Sequence, residues 1–335
     1  MDASVSALLS AVDKADAGAA TSAPPAFDLG AWSQRHLATV ERALGRWVTV
    51  EAPAGLDHGA PAALVDAMRY AVLDGGKRLR PLLVLASCEA VQGNATAALR
   101  AACATELIHA YSLVHDDLPC MDNDVLRRGK PTVHVKYGEA QALLAGDALQ
   151  ALAFELLTPD ESTPDGAAVP APLQARLCRL LAQAAGSAGM AGGQAIDLAS
   201  VGLQLTERQL SEMHRLKTGA LLQGSVMMGA ACGAPSANAA KALETYGAAM
   251  GLAFQVVDDI LDATEDSSTL GKTAGKDAEH GKPTYVSLLG LARSRTFAQE
   301  LLAQALSALD ELDASGLPET RALRGLANMV VNRKA

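Results

Sequence analysis

Apolar residues recur at three- and four-residue intervals along most of the chain, the spacing of helices that bury one face. Leu37, Val40, Leu44 and Val48 set this rhythm within Trp32–Val50. The same pattern predicts helices over about 61–73, 80–92, 95–118, 138–157, 171–189, 206–232, 236–264, 283–291 and 295–313. No stretch alternates apolar and polar residues for long enough to predict a sheet. Thr158–Pro170 holds three prolines among acidic residues and reads as a surface loop. Residues 265–282 are rich in Gly, Ser, Thr, Lys and Asp and read as a mobile loop or lid. Nothing marks a second domain. The pattern predicts one single-domain all-α fold over 29–335, preceded by a disordered leader over 1–28.

Composition agrees. Half of the 335 residues are hydrophobic and 3% aromatic, with alanine and leucine dominant, and these two lose least on entering a helix. That length supports a sizeable core. The leader carries Asp2, Asp13, Asp16 and Asp28 and no arginine, unlike an organellar transit peptide. A formal net charge of -9 argues against nucleic acid as a general partner, since phosphate backbones call for a basic face. It leaves room for a small anion held by local cations. The five cysteines show no CxxC spacing, and with no secretory signal they predict reduced thiols and a cytoplasmic protein. No apolar run reaches the roughly 18 residues of a membrane span.

Two acidic clusters break the apolar pattern. Asp258, Asp259 and Asp262 sit in Phe254-Gln-Val-Val-Asp-Asp-Ile-Leu-Asp262. Asp258 and Asp262 share a helical face about 6 Å apart along the axis, where like charges repel unless neutralised. The flanking Val256, Val257, Ile260 and Leu261 make a solvated acidic face a poor alternative. Mg²⁺ suits the position, because it takes hard oxygen ligands from one or two carboxylates and from phosphates. The second cluster is Asp116-Asp117-Leu-Pro-Cys-Met-Asp122-Asn-Asp124, at the end of an apolar helix. Carboxylates there meet the negative end of the helix dipole. Asp116 and Asp122 would not share a face on an unbroken helix, so Pro119 is expected to break it and return Asp122 towards the same ion. Two such clusters suggest facing walls of one metal site.

Cations lie beside both. Gly75-Gly76-Lys77-Arg78-Leu79-Arg80-Pro81 combines a tight turn with three basic residues at a helix start, lysine as a point charge and arginine as a bidentate fork for phosphate. His109 lies two helical turns before Asp116. Arg127 and Arg128 follow the acidic cluster, and Lys217, Lys272 and Lys282 come later. Each alone reads as a solvated surface charge; beside the acidic clusters they form a pattern.

GGKRLRP, DDLPCMDNDVLRRG and FQVVDDILD together resemble the trans-type prenyl diphosphate synthases, the farnesyl and geranylgeranyl diphosphate synthase family. The likeness runs from about Gly75 to Lys282 and more weakly to the Arg333-Lys334 tail. The four-residue spacer between Asp117 and Asp122 is similar to that of bacterial farnesyl synthases and plant-type geranylgeranyl synthases. The resemblance implies antiparallel helices around a central cavity, a homodimer, and three Mg²⁺ ions between Asp116, Asp117, Asp122 and Asp258, Asp259, Asp262. It implies an isopentenyl diphosphate site at Lys77, Arg80, His109 and Arg128. It implies allylic diphosphate contacts at Arg127, Lys217, Lys272 and Lys282, with Thr218 and Gln255 nearby; Lys272 or Lys276 reaches phosphate. Gln194 and Asp197 in GGQAIDL match a further family motif.

The chemistry then expected is ionisation of an allylic diphosphate and attack on the cation by isopentenyl diphosphate, with fixed charges rather than a protein nucleophile as the catalyst. The Lys217 carbonyl, the Thr218 hydroxyl and the Gln255 oxygen would aim negative dipoles at the cation. Closure of 265–282 would exclude water. Tyr111 lies five residues, or about 7.5 Å, before Asp116 and would floor the pocket, whereas Ser112 obstructs little. The expected product is fifteen carbons long, farnesyl diphosphate; a twenty-carbon synthase, a terpene cyclase and a non-catalytic partner subunit are the alternatives. Both acidic motifs and GGKRLRP weigh against the last two.

Overall fold

The computed structural model describes residues 27–51, 58–73, 75–160, 163, 169–264, 283–314 and 319–333. The chain enters its first helix where the Asp28 carboxylate accepts a hydrogen bond from the Ala31 amide, an N-cap that satisfies one of the free amides of the first turn. Fourteen α-helices follow among the described residues: α1 (Leu29–Trp47), α2 (Ala62–Val72), α3 (Leu79–Ala90), α4 (Ala95–Asp116), α5 (Val133–Tyr137), α6 (Glu139–Leu157), α7 (Ala171–Ala185), α8 (Met190–Ala199), α9 (Glu207–His214), α10 (Ala220–Ala231), α11 (Ala237–Thr264), α12 (Tyr285–Leu289), α13 (Leu291–Ala314) and α14 (Arg321–Val331). Caps explain several starts. Asn94 caps α4, and capping boxes open α9 at Thr206 and α12 at Thr284.

Helix α4 lies deep in the bundle. Its Leu107 and Ile108 are fully buried, and so are Ala97, Ala101 and Ala104 on other sides of the same helix. Small residues let α3, α6 and α10 approach it closely. One apolar core joins α1, α4, α6 and α7 through Val40, Leu44, Leu149, Leu177 and Leu181. A second joins α11, α13 and α14 through Leu243, Tyr246, Leu309, Leu312 and Leu326. Helices α3 and α10 serve both: Val84 and Leu221 face the first core, Leu83 and Leu222 the second. Truncating any of these buried leucines to alanine removes about 2–5 kcal/mol by cavity formation.

The prediction of an all-α fold holds, and several details differ from the expected elements. A two-residue antiparallel hairpin pairs Leu126–Arg127 (β1) with Lys130–Pro131 (β2), too short for alternation to reveal. Helix α8 forms where only a glycine-rich motif was visible, and α14 forms at the C-terminus. The helix expected over 206–232 contains a π-helical segment, Arg215–Gly219, between α9 and α10. Helix α6 is long and apolar enough to cross a membrane by length and composition, but Glu139, Asp147 and Glu155 interrupt it, so the expectation of no unbroken apolar run holds among the described residues; its inner face packs on α4 through Ala142, Ala145 and Leu149. Residues 1–26 of the leader expected over 1–28, and the lid expected over 265–282, fall outside the described residues, while Asp28 caps α1.

Candidate active site

The end of α4 builds the first acidic wall. Past Asp116 the chain turns back: the Leu118 amide donates to the His115 carbonyl (3.1 Å), and the Asp122 amide donates to the Asp116 carbonyl (2.9 Å). The turn contains Pro119, which cannot continue a helix, and it returns Asp122 to Asp116 as expected. The result is a concentration of negative charge. Burial pushes the Asp116 carboxyl up to about 6, with Asp122 and Asp117 adding to the rise and Lys217 and Arg127 opposing it.

Asp117, expected as a metal ligand, is buried and held by Arg127 through three contacts of 2.6, 2.9 and 3.0 Å. Its carboxylate pulls the Arg127 guanidinium above its usual range against the opposing effect of burial. Asp117 therefore orients Arg127, and it is Asp116 that faces the cavity.

The second wall repeats this division of labour on α11. Asp259 is buried and accepts from the Gln255 amide (2.8 Å) and from the Tyr285 backbone amide (2.8 Å). Gln255 in turn accepts from the Thr218 hydroxyl through Oε1 (2.9 Å). Asp259 thus fixes which way the Gln255 amide points. Asp258 is half-exposed and contacts Arg333 at 3.2 Å, while the Arg333 guanidinium lies 4.3 Å over the Phe254 ring. Asp262 is buried at the end of the same face.

Beside the first wall, a cavity of about 350 Å³ is lined by Arg80, His109, Tyr111, Ser112, Asp116, Gln194, Lys217 and Thr218, with Met121, Met190 and Leu198 among its apolar residues. The π segment presents Lys217 and Thr218 to it, a register change often found at functional sites. Glycines permit this geometry. A Cβ at Gly193 would lie 2.0 Å from the Lys217 nitrogen, and one at Gly251 2.6 Å from the Gly219 Cα. Asp197 holds the Lys217 ammonium at 2.5 Å.

The opposite end is strongly basic. Arg80, His109 and Arg128 gather there with Arg78 and Arg127, and Lys77 is exposed on the preceding turn. Burial first, and then these four guanidinium groups, hold the His109 imidazole well below its ordinary range, so it is neutral near pH 7. Burial, aided by Arg128, lowers Arg80 to about 10. Of the three cations in GGKRLRP, Arg78 is structural: it is buried against Glu41 and Glu106. The sequence pattern alone gave no sign of that difference. Several polar atoms on these walls lack a protein partner, among them Arg80 Nε and both amide atoms of Gln194. Such atoms cost about 1–3 kcal/mol each unless a ligand or water meets them. Lys272, Lys276 and Lys282 lie outside the described residues.

Among the described residues no three carboxylate, histidine or cysteine groups converge tightly enough to enclose an ion. A hard divalent cation would instead take one or two carboxylates and complete its shell with phosphate oxygen and water. Asp116, with its proton affinity raised, and Asp122 returned beside it suit that role.

A family model described as polyprenyl synthetase matches residues 61–315. The chain belongs to that family. It is 50% identical over 285 residues to a "Probable farnesyl diphosphate synthase" of Sinorhizobium fredii, covering 84% of this chain and 82% of the relative. It is 42% identical over 310 residues to "Geranylgeranyl pyrophosphate synthase 4" of Arabidopsis thaliana, covering 92% and 78%. A solved geranyltransferase of Helicobacter pylori, complexed with magnesium and isoprenyl diphosphate, is 35% identical with a TM-score of 0.75, covering 92% of this chain and 98% of that one.

Proposed function

We propose that this polyprenyl synthetase is a short-chain prenyltransferase that condenses dimethylallyl or geranyl diphosphate with isopentenyl diphosphate and stops at farnesyl diphosphate. The observation that carries the reading is one cavity with two separate charge environments. Asp116 and Lys217 supply one, and Arg80 with the guanidinium groups around His109 supplies the other. One diphosphate would bind through metal ions to the carboxylates; the other would bind the guanidinium groups directly.

Asp116 and Asp122, with Asp258 and Asp262, would hold Mg²⁺, three ions in all, which supplies charge stabilisation to the departing pyrophosphate. Lys217, fixed by Asp197, adds a positive charge at the same place. The Thr218 hydroxyl and Gln255 oxygen present fixed dipoles to the developing allylic cation. Asp117 and Asp259 act through Arg127 and Gln255 rather than on an ion. Arg80 and Arg128, with Lys77 at the rim, take the isopentenyl diphosphate, and His109 stays uncharged beside them. Among the described residues no side chain is placed as a dedicated base, so the departing pyrophosphate takes the proton.

Product length follows from the cavity floor. The Tyr111 ring lines the cavity below Asp116 and packs edge-on against His115 at 5.7 Å. Its hydroxyl is pushed up by burial and then by Asp116, which places it near the acidic wall. A twenty-carbon product is the second reading, favoured by the likeness to the Arabidopsis synthase. The outer face of α6 exposes Leu143 and Leu144, an apolar surface that fits a homodimer contact. Five free thiols suit a reducing cytoplasm.

The test is pyrophosphate release. Release is expected only when isopentenyl diphosphate, geranyl diphosphate and Mg²⁺ are all present. Release from geranyl diphosphate alone would point to a cyclase, and none under any condition would point to a partner subunit.

A further inference from the structure

The basic end of the cavity poses an electrostatic problem. Arg78, Arg80, Arg127 and Arg128 crowd around one uncharged histidine. Asp117 answers Arg127. For the other three, the carboxylate whose charge opposes their loss of protons most directly is Glu106, buried on α4 one turn before His109.

Glu106 touches only one of them. The Arg78 guanidinium donates to Glu106 at 2.7 Å, to Glu41 of α1 at 2.7 Å, and to the Val72 carbonyl at the end of α2 at 2.5 Å. Arg78 is also the residue where the turn becomes helix α3, and its backbone is left-handed, with φ 45° and ψ 37°. A non-glycine residue in that region costs about 1–3 kcal/mol and persists only where its surroundings enforce it. Gly75 and Gly76 before it have φ 101° and 122°. Arg128 rests on this turn: it donates to the Gly75 carbonyl at 2.6 Å, and a Cβ on Gly76 would lie 2.9 Å from its Nη1. Arg80 follows Arg78 by two residues and reaches the cavity with its Nε unpartnered.

We infer that Glu106 is a positioning residue for the isopentenyl diphosphate site: through Arg78 it pins the glycine turn that supports Arg128 and launches Arg80. The inference rests on the assignment of that site made above. Glu106 does not touch substrate. It sets the separation of two guanidinium groups that would otherwise repel, so that a diphosphate meets a preformed fork.

The sign of the effect separates this role from simple charge balance. If Glu106 only weakens the positive field, replacing it with glutamine strengthens anion binding. If it holds the turn, the same change weakens binding. The experiment titrates isopentenyl diphosphate into the full chain by calorimetry in EDTA, then measures KM for both substrates with Mg²⁺. For Glu106→Gln the expected result is about tenfold or more weaker isopentenyl diphosphate binding, with a matching rise in its KM. The KM for geranyl diphosphate should stay within about twofold, because that site depends on Asp116 and Lys217. Equal or tighter binding overturns the proposal, as does an equal rise in both KM values.

Should Glu106→Gln fail to fold, Glu41→Gln decides the matter, since Glu41 is half-exposed and remote from the cavity wall. It should weaken isopentenyl diphosphate binding by about threefold, in the range of a partly exposed ion pair, and unchanged binding overturns the proposal. A wild-type chain that binds no isopentenyl diphosphate overturns the functional reading and this proposal together. Normal wild-type binding beside unaffected variants overturns the proposal alone.

Discussion

At the residue scale, paired aspartates divide between two tasks. Asp116 faces the cavity and Asp258 is half-exposed beside Arg333, while Asp117 and Asp259 are buried and spend their oxygens on Arg127, Gln255 and Tyr285. Asp116→Ala and Asp258→Ala should each lower kcat by about 10²–10³ or more, the scale of losing a fixed electrostatic contact, measured by steady-state kinetics at saturating Mg²⁺. His214 offers a pH prediction. It is buried, neither ring nitrogen has a protein partner, and burial lowers it to about 4, with Lys217 assisting and Asp197 and Asp258 opposing. An unfolded histidine titrates near 6.5. Between those values the unfolded chain binds more protons, so stability rises with pH there and is lost as pH falls from 6.5 towards 4. The full effect is about 3 kcal/mol. Asp116 works in the opposite direction, since its raised value favours the folded chain at low pH until a metal occupies it. In denaturant melts, stability should therefore fall less on going from pH 7 to pH 5, or rise, for His214→Phe than for wild type.

At the element scale, the helical pattern exposed most of the architecture and concealed its joints. Helix α4 and the second acidic helix α11 were legible because apolar residues surround their acids. Pro119 was legible as a helix breaker. The π segment was not, because a one-residue register change leaves nearly the same apolar spacing over 206–232. Helix α8 was hidden by its glycines, which look like loop residues yet are needed where Gly193 meets Lys217. The role of Arg78 was hidden because Glu41 and Glu106 are 37 and 28 residues away in the chain. Gly251→Ala tests the crossing of the π segment and α11. The added methyl would lie 2.6 Å from Gly219 Cα, which is backbone and cannot swing aside. A loss of about 1–3 kcal/mol is expected from overpacking, read as a lower melting temperature. Wild-type melting would show that the crossing has room.

At the scale of the whole molecule, two cores share α3 and α10, and the cavity opens between helices drawn from both. Self-association would use the far side of α6. Leu143→Glu combined with Leu144→Lys should convert a dimer to a monomer in sedimentation, and an unchanged mass would remove that face as the contact. The depth of the cavity decides the product. Tyr111 lines it, and the distance of that ring below Asp116 was legible, because five residues on a helix fix it; its role as floor is the proposal. Tyr111→Ala should open the floor and lengthen the product. The most direct test of the account is chromatography of the chain-length product after incubating wild-type protein with isopentenyl diphosphate, geranyl diphosphate and Mg²⁺. The account predicts a fifteen-carbon diphosphate that disappears with EDTA; folded protein that makes no condensation product would contradict it.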